Sequence, residues 1–138
     1  MTPKHTPGPW RWEFNAARKN ISLTGGRPEY DLTVMDFERW GMHGATPRFM
    51  EPNQAGLNLM SRIGDRPDWI EPFPDRKHHA HWCANVSHPD ARLIAAAPDL
   101  LDALGCMLHL CKMLKAPEGP VLEFARSAIA KATGEITT

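Results

Sequence analysis

The sequence predicts an α+β domain: a small antiparallel β-sheet packed on C-terminal α-helices, with a loop-rich middle. Three observations carry this. Residues 10–14 (WRWEF) and 30–37 (YDLTVMDF) alternate apolar with polar side chains, as half-buried strands do. Most of the 13 prolines precede residue 90, so regular structure there is interrupted often. Beyond residue 90, apolar residues recur at steps of three and four, which draws one stripe along a helix.

In chain order, residues 10–14 predict a first strand with Trp10, Trp12 and Phe14 on one face and Arg11 and Glu13 on the other. Residues 15–20 supply a turn and 21–24 (ISLT) a second strand, which Gly25-Gly26 with Pro28 is expected to break. Residues 30–37 carry the β-branched content of a third strand. Between 39 and 70 glycine and proline recur, and only 54–63 (QAGLNLMSRI) predicts a short helix, with Leu57, Met60 and Ile63 inward. Residues 90–97 (DARLIAAA) form the next helix, which Pro98 is expected to end or bend. A second helix places Leu100, Leu101, Leu104, Met107, Leu108, Cys111 and Leu114 on one apolar stripe. Asp99 and Asp102 favour its N-terminal end, and Lys112 and Lys115 its C-terminal end. Residues 121–133 predict a last helix, with Gly134 placed to cap it.

The 138 residues suit one domain, 1–138, with a β-meander in 1–38, a loop-rich binding layer in 39–88 and helices in 89–134. Sixteen basic and sixteen acidic residues cancel. That balance argues against a DNA-mimicking polyanion and against non-specific nucleic-acid binding. Cys83, Cys106 and Cys111 form an odd set with no paired framework, the pattern of reduced thiols. The start of the chain carries no apolar run of the secretory kind, and no stretch reads as long and apolar enough to span a bilayer. The expectation is a cytoplasmic protein of a bacterial host cell, without a membrane partner.

Two motifs are specific. His5-Thr6-Pro7-Gly8-Pro9-Trp10 (HTPGPW) opens the chain, and residues 90–101 (DARLIAAAPDLL) begin its helical third. Together they resemble the N- and C-terminal signatures of small phage and prophage accessory proteins. Gly41-Met42 with Pro47-Arg48-Phe49, and His78-His79-Ala80 with Trp82 and His88-Pro89-Asp90, are similar to one subgroup of these. The resemblance implies viral context and raises counter-defence as a role, without implying a reaction. On physical grounds both outer motifs read first as fold-defining: Pro7-Gly8-Pro9 fixes a turn that delivers Trp10 to the sheet, and Ala95-Ala96-Ala97 permits close backbone approach within the core or between subunits.

Polar chemistry is densest at residues 76–88 (RKHHAHWCANVSH). An extended chain would put His79, His81 and Cys83 on one side, and His88 could complete a zinc tetrahedron. Against zinc stand the confinement of every candidate ligand to one short segment and the lack of a CxxC or HExxH pattern. A Cys83–His nucleophile pair lacks a third orienting residue and an oxyanion loop. No phosphate-cradling glycine loop or carboxylate pair is evident, so catalysis and a cofactor are not expected.

Cationic and aromatic residues pair repeatedly from Arg39 to Trp82. Guanidinium forks grip phosphates and flat rings stack on bases. The leading expectation is therefore sequestration of a nucleotide-type small molecule, such as a host immune signal. Arg48, Arg76 and His79 would contact phosphate, with further donors from His78, and Trp40, Phe49 or Trp82 would stack. The plainer alternative makes the tryptophans core, covered by arginines. The other functional alternative is a protein-binding inhibitor of a host defence effector, with an exposed surface bearing Trp and Met. The alanine- and leucine-rich helices would support a homo-oligomer.

Overall fold

The computed structural model describes residues 5–27, 30–39, 42, 44–52, 57–72 and 83–135. Among these, the strands β1 (Trp10–Asn15), β2 (Asn20–Arg27), β3 (Tyr30–Arg39), β4 (Ala45–Met50) and β5 (Met60–Arg62) form an antiparallel sheet in sequence order. Strands β6 (Ile70–Pro72) and β7 (Cys83–Val86) form a separate antiparallel pair. Two helices follow, α1 (Pro89–Met113) and α2 (Pro120–Thr133). The α+β class is as expected.

The β1–β2 turn is set locally. The Asn15 side-chain oxygen accepts from the Arg18 amide at 3.0 Å, and Lys19 takes a left-handed φ of 54°; asparagine often shapes turns in this way. Trp12 then faces Leu23 and Phe14 faces Ile21. Contrary to expectation, β2 does not break at Gly25-Gly26 but runs through both. The reason is steric: Gly25 lies opposite Trp10, where a Cβ would sit 2.7 Å from the Pro7 carbonyl oxygen and 2.9 Å from the indole. Glycine here is the residue that lets the opening segment lie against the sheet.

Strand β4 was hidden in the sequence by its own Pro47. That residue faces Phe37 on β3, while β5 pairs only with Arg48, Phe49 and Met50, so Pro47 lies where the next strand no longer needs its missing donor. The expected helix over 54–63 is also corrected. Residues 57–59 are irregular, Met60–Arg62 is β5, and Ile63–Asp65 and Pro67–Trp69 are single 3-10 turns. The Asn58 side chain accepts from the Thr33 amide at 2.7 Å and donates to the Thr33 carbonyl at 3.2 Å, pinning this segment to β3 in a way a helix could not.

Pro98 does not end a helix: α1 is continuous through it. Proline costs an interior helix its bond to the carbonyl four residues earlier, here that of Ile94. The chain divides into two compact units between Ile94 and Ala95, at this weakened turn. A second correction concerns length and polarity. Helix α1, with 25 residues and a mean hydropathy of 1.5 over its most apolar window, is long and apolar enough to cross a membrane. Helix α2 begins with Pro120 and ends on Gly134, whose left-handed φ of 76° and bond to the Ala130 carbonyl make the expected cap.

In the first unit the buried apolar side chains are Leu23, Val34, Phe49 and Trp69, joined by the polar Thr6, Thr24, His88 and Asp90. In the second they are Ala125 and Ala130.

Candidate functional site

The two end motifs meet. Asp90, only 1% exposed, accepts from the Thr6 amide and from the Thr6 hydroxyl, each at 2.6 Å. The Thr6 carbonyl in turn accepts from the Trp10 indole at 3.0 Å. His88 caps α1 from the other side: its Nδ1 accepts from the Asp90 amide at 3.1 Å, and its Nε2 donates to the Met50 carbonyl at 2.7 Å. That division of roles assigns the tautomer protonated at Nε2. The imidazole stacks on Phe49 (5.1 Å, 29°) and meets the edge of Trp69 (4.9 Å, 77°). Every polar group here is paired within the fold, and the cluster joins four stretches of sequence into one core.

Of the residues expected to bind a ligand, Arg48 and Phe49 are described; Trp40, Arg76, His78, His79 and Trp82 lie outside the described residues, as does His81. Arg48 holds Asp36, directly across on β3, through two bonds of 2.7 and 2.6 Å. This fork raises the pKa of the guanidinium above its usual value. Phe49 is buried against His88. Neighbours in a strand point to opposite faces, so the two do not converge. Cys83 begins β7, but its side chain is outside the description. Both ring nitrogens of His88 are occupied by hydrogen bonds, and among the described residues no cluster of metal-ligating side chains forms.

Beside this core runs a charged network. Glu51 accepts from Ser61 and from Arg66. Arg66 also forks onto Asp68 at 3.0 and 2.8 Å and lies 4.4 Å above the Trp69 ring, a cation–aromatic contact. Arg66 first, then Ser61, hold the Glu51 carboxyl below its usual range. Because the folded value is depressed, the contribution to stability is complete above the unfolded pKa of about 4.3. It is lost as pH falls through the folded value. Glu51→Gln should therefore flatten the acid limb of a Tm–pH profile below about pH 4, measured by circular dichroism; an unchanged limb would show the pair to be inert.

The sequence did not reveal which apolar residues the fold leaves outside. One face of the sheet carries two parallel rows. Trp12, Leu23, Met35 and Phe49 oppose one another across four strands, and the inner end of this row is covered by His88. One step along each strand on the same face come Phe14 and its partner Ile21, followed by Phe37 on β3. This second row is open: Phe14 is 65% exposed, and Ile21 and Phe37 are exposed as well. Trp12, at 58%, extends the opening on the edge strand β1. Two phenyl rings and an indole on one face of the sheet, from its edge strand β1 to its central strand β3, form the kind of patch that commonly marks association. The signal available in the sequence was the number of aromatics alternating in β1, more than one short edge strand needs for packing.

A family model described as Salmonella phage P22 protein Y8K6 matches residues 1–136. No curated protein and no solved structure matches the chain.

Proposed function

The chain belongs to the Salmonella phage P22 protein Y8K6 family, and we propose that it serves the phage by binding a protein partner through the open aromatic end of its sheet. The observation that carries this reading is the exposed group Trp12, Phe14, Ile21 and Phe37 on one face. Large rings at an interface exclude water over wide areas at little conformational cost, which is why they dominate binding energetics. The matching role is an inhibitor of a host defence effector, acting stoichiometrically in the host cytoplasm.

Sequestration of a nucleotide-type molecule is the competing reading. Among the described residues it has less support, since Arg48 is held by Asp36 and Phe49 by His88. One experiment separates the two. Tagged protein and its Trp12→Ala/Phe14→Ala variant are purified from phage-infected cells and weighed by native mass spectrometry. Protein binding predicts a stoichiometric polypeptide on the wild type and a loss of roughly 30-fold or more in the variant. The Tm should stay within a few degrees, because both side chains are exposed. Equal capture by both proteins, or a nucleotide retained by both in place of a polypeptide, would defeat the proposal.

A further inference from the structure

We propose that two copies of the chain join along the outer edge of β1, strand to strand and antiparallel, with Trp12 on the two-fold axis. The strand order gives the sheet two edges, β1 and β5. Strand β5 has three residues and carries Arg62, short and charged like the edges that proteins keep single. Strand β1 has six residues, contains no proline and pairs with β2 without a bulge. The pairing phase shows which of its main-chain groups look outward. Pro9 lies opposite Gly26, one step beyond the Trp10–Gly25 pair, and its carbonyl accepts from the Gly26 amide at 3.2 Å. Hydrogen-bonded and non-bonded pairs alternate along an antiparallel ladder. Arg11 and Glu13 therefore bond to β2, while Trp12 and Phe14 turn their N–H and C=O groups away from it. Among the described residues these groups of Trp12 and Phe14 meet no partner.

The strand itself selects a second copy as the occupant. It runs Trp10, Arg11, Trp12, Glu13, Phe14, so when reversed against itself it meets ring with ring and base with acid. An outward-turned residue can pair only with another of its kind, and two such two-fold registers overlap all but one of the six residues. Centring on Glu13 sets carboxylate against carboxylate, and like charges directly opposite are destabilising. Centring on Trp12 instead places Arg11 opposite Glu13 of the second copy, twice, in the non-bonded pairs where side chains come closest. The Arg11 guanidinium gives one N–H each to Glu13, the Gly26 carbonyl and Asp31, which leaves it donors for the second copy's carboxylate. On the other face Trp12 meets Trp12 of the second copy, and Phe14 comes beside its Trp10. A two-fold contact needs one self-complementary patch. This strand supplies it, and the assembly closes because β1 is consumed in both copies.

Analytical ultracentrifugation of the full chain over a wide concentration range tests this. The wild type should be a dimer that dissociates on dilution. Arg11→Glu and Glu13→Arg, studied apart, should each raise the dissociation constant on the order of 30-fold, with circular dichroism retained. Mixed in equal amounts, the two variants should recover the dimer, because the mixture again sets an acid opposite a base at both places. Neither substitution alters the aromatic face, so capture of a foreign polypeptide there is read separately. Should Arg11→Glu fail to fold, Phe14→Pro carries the test: it deletes an outward amide, spares the bonds to β2 and should be monomeric. A wild type that is monomeric at every concentration would overturn the proposal. So would a dimer that resists these substitutions, or folded charge variants that stay monomeric when mixed.

Discussion

Asp90→Ala should be among the most destabilising single substitutions in the protein, costing about 3–5 kcal/mol. The carboxylate accepts two short bonds from Thr6 at a site closed to water. Its loss leaves an amide and a hydroxyl buried without acceptors, each carrying its own desolvation penalty. The opening segment loses its anchor as well, and with it the Trp10 indole bond to the Thr6 carbonyl. Urea denaturation should show a lower midpoint with little change in slope. Thr6→Ala removes only the hydroxyl and should cost less, about 1–2 kcal/mol. In a double-mutant cycle the two should be strongly non-additive; additive effects would mean that the bond is not made in solution.

Trp69→Ala should rival it, at about 3–5 kcal/mol. The indole is 5% exposed and fills the space between the His88 ring and the Arg66 guanidinium. Its backbone holds neighbours together too, donating to the Arg66 carbonyl and accepting from the Ser87 amide. Removing the ring opens a cavity beside His88 and frees the guanidinium that steadies Glu51 and Asp68. Trp69→Phe keeps much of the volume and should recover more than half of the loss, which a matched pair of thermal melts would show.

The strands that alternate cleanly were legible. Residues 10–14 and 30–37 lie within β1 and β3, and Gly134 caps α2. Where a single residue type usually breaks structure, local reading failed at Gly25-Gly26, at Pro47 and at Pro98: Gly25 stays in the strand because the opening segment lies where a Cβ would be, and Pro47 because β5 does not pair with it. The end motifs were legible as elements of the fold, but not as partners, since Thr6 and Asp90 are 84 residues apart and no local pattern encodes that pairing. The alternation in β1 revealed which face Trp12 and Phe14 share, yet not that the cover over this face leaves both of them exposed. Exposure depends on what the rest of the chain lays across a sheet, and periodicity carries no information on that.

The Thr6–Asp90 bond has a further meaning for a chain born one residue at a time. Synthesis at ~5–20 residues per second separates the two ends by roughly 4–17 s. During that interval the meander can emerge with Phe49 still uncovered, because His88 has yet to be made. A nascent chain stalled before that point would present a sticky, half-finished sheet to the ribosome's surroundings. Slow codons ahead of residue 88 should therefore lower soluble yield far more than the same codons placed within α2.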